Sequence, residues 1–144
     1  MKLLILNGPN LNLLGLREPE LYGTRDYAAL CRFCEEVCRE QNMECSIFQS
    51  NHEGELVDTI QDAYGKYDGI VLNAAAYTHT SIAILDALQG VKIPTVEVHL
   101  TDISAREPFR RISYPGMACI ATCKGKGFES YKDAILLLHE KLGD

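Results

Sequence analysis

Apolar residues occur along this chain in two alternating forms: short unbroken runs, and longer stretches spaced by three and four. The first run, Leu3-Leu4-Ile5-Leu6 within Lys2 to Asn7, is a strand pattern that Gly8-Pro9-Asn10 ends abruptly. Leu11 to Thr24 carries Gly15, Pro19 and Gly23, shows no sustained period, and reads as a loop of more than a dozen residues. Loops that long in compact domains are commonly functional lids or disordered segments. Tyr27, Leu30, Cys31, Cys34, Val37 and Cys38 then repeat at helical spacing behind Asp26, a suitable N-cap. Met43 to Ser50 is a second strand, and Ser50-x-x-Glu53 resembles a capping box ahead of the helical stripe Leu56, Val57, Ile60, Ala63 and Tyr64.

After the Asp68-Gly69 turn signal, Ile70-Val71-Leu72 reads as a strand buried on both faces. It runs straight into Asn73, Tyr77, Thr78, His79, Thr80 and Ser81, the last two being candidate N-caps for a third helix with Ile82, Leu85 and Leu88 that ends at Gly90. Pro94 to His99 is a fourth strand, Asp102 to Arg111 a short helical turn, and Ala118 to Cys123 a fifth strand. Phe128, Tyr131, Ile135, Leu138 and Leu142 give the last helix.

Strands alternating with helices of this length imply right-handed crossovers and a parallel sheet with helices on both faces. The expected fold is a single α/β domain over residues 1–144, a flavodoxin-like three-layer sandwich around a five-stranded parallel sheet of order 2-1-3-4-5. Ligands bind such sheets beyond the carboxyl ends of the strands. That rule gathers Gly8 to Asn10, Asn73 to His79 and His99 to Thr101 at one edge.

Composition narrows the function more than the fold. With 47% hydrophobic and 24% charged residues, and apolar runs too short to span a bilayer, the chain fits a soluble globular protein without a membrane partner. Met1-Lys2 leads directly into a short apolar run with no small-residue cleavage site, so a cytoplasmic location is expected. A net charge of -6 argues against nucleic acid as a partner. The cations are unevenly spread: Arg106, Arg110 and Arg111 cluster, and Arg17 and Arg25 bracket the long loop, a local anion site or simply a solvated basic turn. Six cysteines include Cys31-x-x-Cys34, but neither a second pair nor a strand-then-helix redox context accompanies it. Six buried, reduced thiols are the expectation.

Glu97 and His99, two apart on one strand, point to the same face, where a carboxylate would orient the imidazole and favour its charged form. His99 is then a candidate proton donor, or else a histidine at a strand end with ordinary hydrogen bonds. Leu100 and Thr101 begin a turn whose free amides and hydroxyl suit a carboxylate. In the long loop Tyr22 can serve as a base if Arg17 stabilises its phenolate, the alternative being two ordinary loop residues. The nucleotide-binding glycine patterns, the nucleophile elbow and histidine pairs of metal-ligand spacing are absent from the sequence, so neither metal nor cofactor is called for. Acid/base chemistry on a small polar anion remains.

Five blocks in order, Asn7 to Gly15, Arg17-Glu-Pro19 with Tyr22-Gly23, Asn73 with Tyr77 to Ser81, Val96 to Thr101, and Ala105 to Arg110, resemble type II 3-dehydroquinate dehydratase. The resemblance implies a hydro-lyase that converts 3-dehydroquinate to 3-dehydroshikimate by anti elimination through an enolate, in the shikimate pathway, without metal or Schiff base. It implies that Tyr22 is the base and Arg17 its support, and that His99 is the acid with Glu97 as its partner. By the same resemblance Asn10 is expected to position a water at the enolate oxygen, and Asn73, Leu100 and Thr101 to make the carboxylate and ring contacts. The resemblance further implies that His79 and Arg110 hold ring hydroxyls, that residues 11–24 form a lid, and that Asp86 reaches a neighbouring subunit's site in a trimer, four trimers making a dodecamer. The chain departs from the family where Ile112 replaces a frequent histidine, Thr101 a frequent serine, and Lys124-Gly-Lys-Gly127 a more apolar stretch. The competing class is a non-catalytic flavodoxin-like module, a flavin binder or a phospho-receiver. The asparagines at 7, 10 and 73 and Pro9 stand where those would need carboxylates or a phosphate loop.

Overall fold

A computed structural model describes residues 1–16 and 25–143. The strands β1 (Lys2–Asn7), β2 (Glu44–Gln49), β3 (Gly69–Asn73), β4 (Thr95–His99) and β5 (Ala121–Lys124) form one parallel sheet of order β2-β1-β3-β4-β5. The helices are α1 (Tyr27–Glu40), α2 (Glu53–Asp62), α3 (Ile82–Val91) and α4 (Phe128–Leu142). This is the expected flavodoxin-like sandwich in the expected strand order. Among the described residues no helix is long and apolar enough to cross a membrane.

The unbroken apolar runs follow from covering both faces of the sheet. Leu3 and Ile5 of β1 pack with Leu30 and Cys34 of α1 and Ile135 and Leu138 of α4, whereas Leu4 and Leu6 meet Leu56 and Ile60 of α2 and Ile84 and Leu88 of α3. Two of the expected caps form. Asp26 Oδ1 accepts from the Ala29 amide at 2.8 Å and Ser81 Oγ from the Ile84 amide at 2.9 Å.

Other details differ from the sequence reading. α3 does not stop at Gly90 but runs to Val91 and closes on Lys92, left-handed at φ 57°, because Pro94 disfavours helix at the residue before it. Its buried stripe is Ile84, Ala87 and Leu88 rather than Ile82, Leu85 and Leu88; a spacing of three and three drifts around the helix, and Ile82 is left 56% exposed. Ser50 and Glu53 make no capping box. The helix begins only at Glu53, so Ser50 Oγ accepts from the His52 amide and donates to Glu55, each at 3.0 Å. Tyr64 lies beyond the end of α2 and is exposed.

Residues 102–111 hold two 3-10 turns, Ile103–Ala105 and Pro108–Arg110, divided because Pro108 forces Glu107 into an extended conformation. β5 starts three residues later than expected, after the 3-10 turn Pro115–Ala118. All six thiols are free, but only Cys34 and Cys38 are buried; Cys45 and Cys123 sit on the two edge strands, Cys31 on the flank of α1 and Cys119 in a turn. The loop after β1 opens with a 3-10 turn, Leu11–Leu13, and buries Leu11 and Leu14 in the core beside α1.

Candidate active site

The carboxyl ends of β1, β3 and β4 surround a cavity of about 220 Å³. Of the residues expected at a site, Asn10, Asn73, His79, Leu100, Thr101 and Arg110 line it. Gly8 makes the convergence possible: its N–H donates to the Asn73 carbonyl at 2.7 Å, and a Cβ there would lie 2.4 Å from the Ala74 oxygen. Asn10 takes the left-handed conformation at φ 69° and donates its amide to Asn51 Oδ1 at 3.0 Å, while Tyr77 donates its hydroxyl to the Asn51 carbonyl at 2.9 Å. Asn51, beyond the end of β2, thereby ties the first and third strand-end loops together.

His99 is 5% exposed and ends β4, immediately before the lining residue Leu100. Its Nε2 donates to Glu97 Oε2 at 2.9 Å, which leaves Nδ1 as the nitrogen available to a ligand. Glu97, 3% exposed, also accepts from the hydroxyls of Ser113 and, at 2.9 Å, Thr122. Burial pushes this carboxyl up, but the His99 bond and charge, together with the two hydroxyls, outweigh burial and hold it below the ordinary glutamate range. The result is a buried carboxylate that orients the ring and stabilises positive charge on it. Gly116 is required beside it, since a Cβ would meet Glu97 Oε1 at 2.6 Å and Ser113 Oγ at 2.7 Å.

His79 Nδ1 donates to the Ile112 carbonyl at 2.7 Å, directing Nε2 away from that bond. Because a backbone carbonyl does this work, isoleucine at 112 leaves the ring's support intact, and its side chain is exposed. Arg110 donates through Nε to Glu107 at 2.9 Å, which fixes the stem of its guanidinium at the cavity. The departure at 124–127 has a structural role: Gly125 and Gly127, both at positive φ, donate to the carbonyls of His99 and Leu100 at 3.3 and 2.9 Å. Lys124 and Lys126 pair with Asp102 and Asp133 at 3.3 and 3.1 Å.

Two expected site residues, Arg17 and Tyr22, and most of the expected lid lie outside the described residues. Asp86 is exposed on α3 and lines a different groove, between α2 and α3, so a single chain does not bring it to the cavity. Several contributors were not singled out from sequence. Arg106 lines the cavity, although in the sequence it stands out only as part of a cationic cluster. Ser113 and Thr122 hold Glu97 from 16 and 25 residues away. Ala75 lines the cavity in the left-handed conformation, φ 53°, a strain that residue type does not announce. Among the described residues no group of His, Cys, Asp or Glu side chains is arranged to hold a metal ion.

The family model described as Dehydroquinase class II matches residues 1–139. The chain is 50% identical over 143 residues to the 3-dehydroquinate dehydratase of Fusobacterium nucleatum subsp. nucleatum, covering 97% of each. It is 51% identical over 133 residues to the catabolic 3-dehydroquinase of Talaromyces marneffei, covering 92% of this chain and 76% of that one. A crystal structure of type II dehydroquinase from Butyrivibrio crossotus superposes with a TM-score of 0.93 at 46% identity, over 96% of this chain and 97% of that one.

Proposed function

This chain belongs to the class II dehydroquinase family, and on that premise we propose that it is a 3-dehydroquinate dehydratase that eliminates water in the anti sense, through an enolate, to give 3-dehydroshikimate. The observation that carries the reading is the cavity ringed by Asn73, His79, Thr101 and Arg110 with His99 held by a buried carboxylate beside it. Such a site suits a small polyhydroxylated carboxylate. The amides of Leu100 and Thr101 with the Thr101 hydroxyl take the carboxylate, and His79 and Arg110 take ring hydroxyls.

The proton inventory closes without a covalent intermediate. Tyr22, as phenolate beside the always charged Arg17, removes the C2 proton, and the electron pair moves to the neighbouring carbonyl to form the enolate. Asn10 holds a water against the enolate oxygen. Collapse of the enolate expels the C1 hydroxyl, which His99 protonates to water while Glu97 stabilises the ring charge. Closure over the cavity of the lid that carries Arg17 and Tyr22 excludes water and strengthens the Arg17 effect at lower dielectric. Asp86 completes the site of a neighbouring copy, in trimers that assemble into a dodecamer. A cytoplasmic biosynthetic step towards chorismate and aromatic amino acids fits this activity; quinate breakdown uses the same chemistry.

Incubation with 3-dehydroquinate tests the reading directly, since the product is a conjugated enone with ultraviolet absorbance. Folded protein that produces no rise refutes the activity. Tyr22→Phe should abolish turnover with the fold intact, and full activity in that variant refutes the base assignment. Borohydride added with substrate should leave activity unchanged, because no lysine imine forms; inactivation would overturn the enolate route.

A further inference from the structure

A run of polar side chains leads from the cavity wall into the core and takes no part in the steps above. Asn73 Nδ2 donates to the Tyr131 hydroxyl at 2.9 Å, that hydroxyl donates to Asn7 Oδ1 at 2.6 Å, and Asn7 Nδ2 donates to the Tyr27 hydroxyl at 3.2 Å. Asn7 and Asn73 are register partners on the adjacent strands β1 and β3, so their side chains leave the sheet on one face. α4 inserts Tyr131 between them, with none of its surface exposed.

The direction of every bond is dictated from the cavity end. The Ala75 amide can only donate, and it donates to Asn73 Oδ1 at 3.1 Å. That identifies Oδ1 as the oxygen and leaves Nδ2 as the donor to Tyr131. A hydroxyl that accepts from Nδ2 has one proton to give, and it goes to Asn7. Burial raises the Tyr131 phenol well above the ordinary tyrosine range, so the proton stays on it at neutral pH. The Asn73 backbone carbonyl is engaged by Gly8 at 2.7 Å. With Oδ1 and one N–H thus occupied, the second N–H is the donor that the Asn73 amide presents at the cavity it lines. The Ala75 amide is carried to Oδ1 by the peptide plane that follows Ala74, at φ -75° and ψ -3°.

We infer that Tyr131 is a positioning residue: its hydroxyl locks the Asn73 amide in one orientation, so that this point of the cavity recognises only a hydrogen-bond acceptor on the ligand. The inference rests on the dehydratase reading for its turnover assay alone; the geometry of the lock belongs to the ligand-free protein.

The test is a double-mutant cycle of Tyr131→Phe and Asn73→Ala, read as kcat/KM for 3-dehydroquinate, with the side-chain amide signals followed by nitrogen-15 NMR. Tyr131→Phe should lower kcat/KM by about tenfold, as expected for loss of one hydrogen bond at the site. In the Asn73→Ala background it should cost nothing further, within about twofold, because Tyr131 acts only through Asn73. The side-chain amide cross-peak of Asn73, identified by its loss in Asn73→Ala, should move in ligand-free Tyr131→Phe protein. Losses that multiply across the cycle, or an unmoved cross-peak, overturn the inference. If Tyr131→Phe does not fold, Asn7→Ala, which releases the Tyr131 hydroxyl, enters the same cycle with the same expected results. Wild-type protein that fails to turn over 3-dehydroquinate refutes the dehydratase reading instead, and the cross-peak then decides the lock.

Discussion

Glu97→Gln separates the charge of the buried carboxylate from its shape. The amide is nearly isosteric, and its oxygen can keep the 2.9 Å bond from Thr122, but its nitrogen replaces the oxygen that accepts from His99 and Ser113. An N–H facing His99 Nε2 makes that nitrogen an acceptor in the neutral ring. A protonated ring, carrying N–H at both nitrogens, then meets a donor. Hydrogen bonds to charged groups contribute roughly 1.5–3 kcal/mol, and about 1.36 kcal/mol is tenfold in rate, so kcat for 3-dehydroquinate should fall roughly 10- to 150-fold. KM should change little, since Glu97 is not among the residues lining the cavity. The assay is the initial rate of enone absorbance over a range of substrate concentrations, with circular dichroism to establish folding. A folded variant whose kcat stays within about threefold of wild type would refute the role given to the carboxylate charge.

The same carboxyl predicts a pH dependence of stability. Its pKa in the folded protein lies below the ordinary glutamate range, so the stabilisation is fully present above the ordinary value and is lost as pH falls through the lower folded one. The urea midpoint of the wild type should therefore drop more steeply on acidification below about pH 5 than that of Glu97→Gln, and equal slopes would contradict the assignment. Gly116→Ala drives a methyl group to 2.6 Å from Glu97 Oε1 and 2.7 Å from Ser113 Oγ. A destabilisation of about 1–3 kcal/mol and slower turnover are expected, and an unchanged melting temperature counts against that crowding. Asp26→Ala removes the cap of α1 and should cost about 1 kcal/mol, largely restored by Asp26→Ser; chemical denaturation of both variants checks it.

Much of the site was legible because its polar residues sit where apolar strands end. Asn10, Asn73, His79, Leu100, Thr101 and Arg110 all line one cavity, and Glu97 and His99 meet as strand neighbours two apart must. Tyr131 falls in the sequence on one more apolar position of the last helix, since spacing cannot tell a phenol packed among hydrocarbons from one whose hydroxyl bonds two asparagines. Asp86 shows the opposite limit: its exposed position on α3 in one chain carries no sign of a site.

The architecture is written locally along the chain, because each element needs only local information: unbroken apolar runs for strands covered on both faces, helical stripes for the layers, and Asp26 and Ser81 for the caps. Which partners meet depends on the assembled sheet. Tyr131 reaches Asn7 across 124 positions, and Ser113 and Thr122 converge on Glu97, because the parallel crossovers stack β1, β3, β4 and α4 side by side. Tertiary structure also decided the phase of α3, which packing sets, and the left-handed turn at Ala75, which the residue type does not announce. Local pattern specifies which face of an element is buried; only the assembled sheet specifies what that face is buried against.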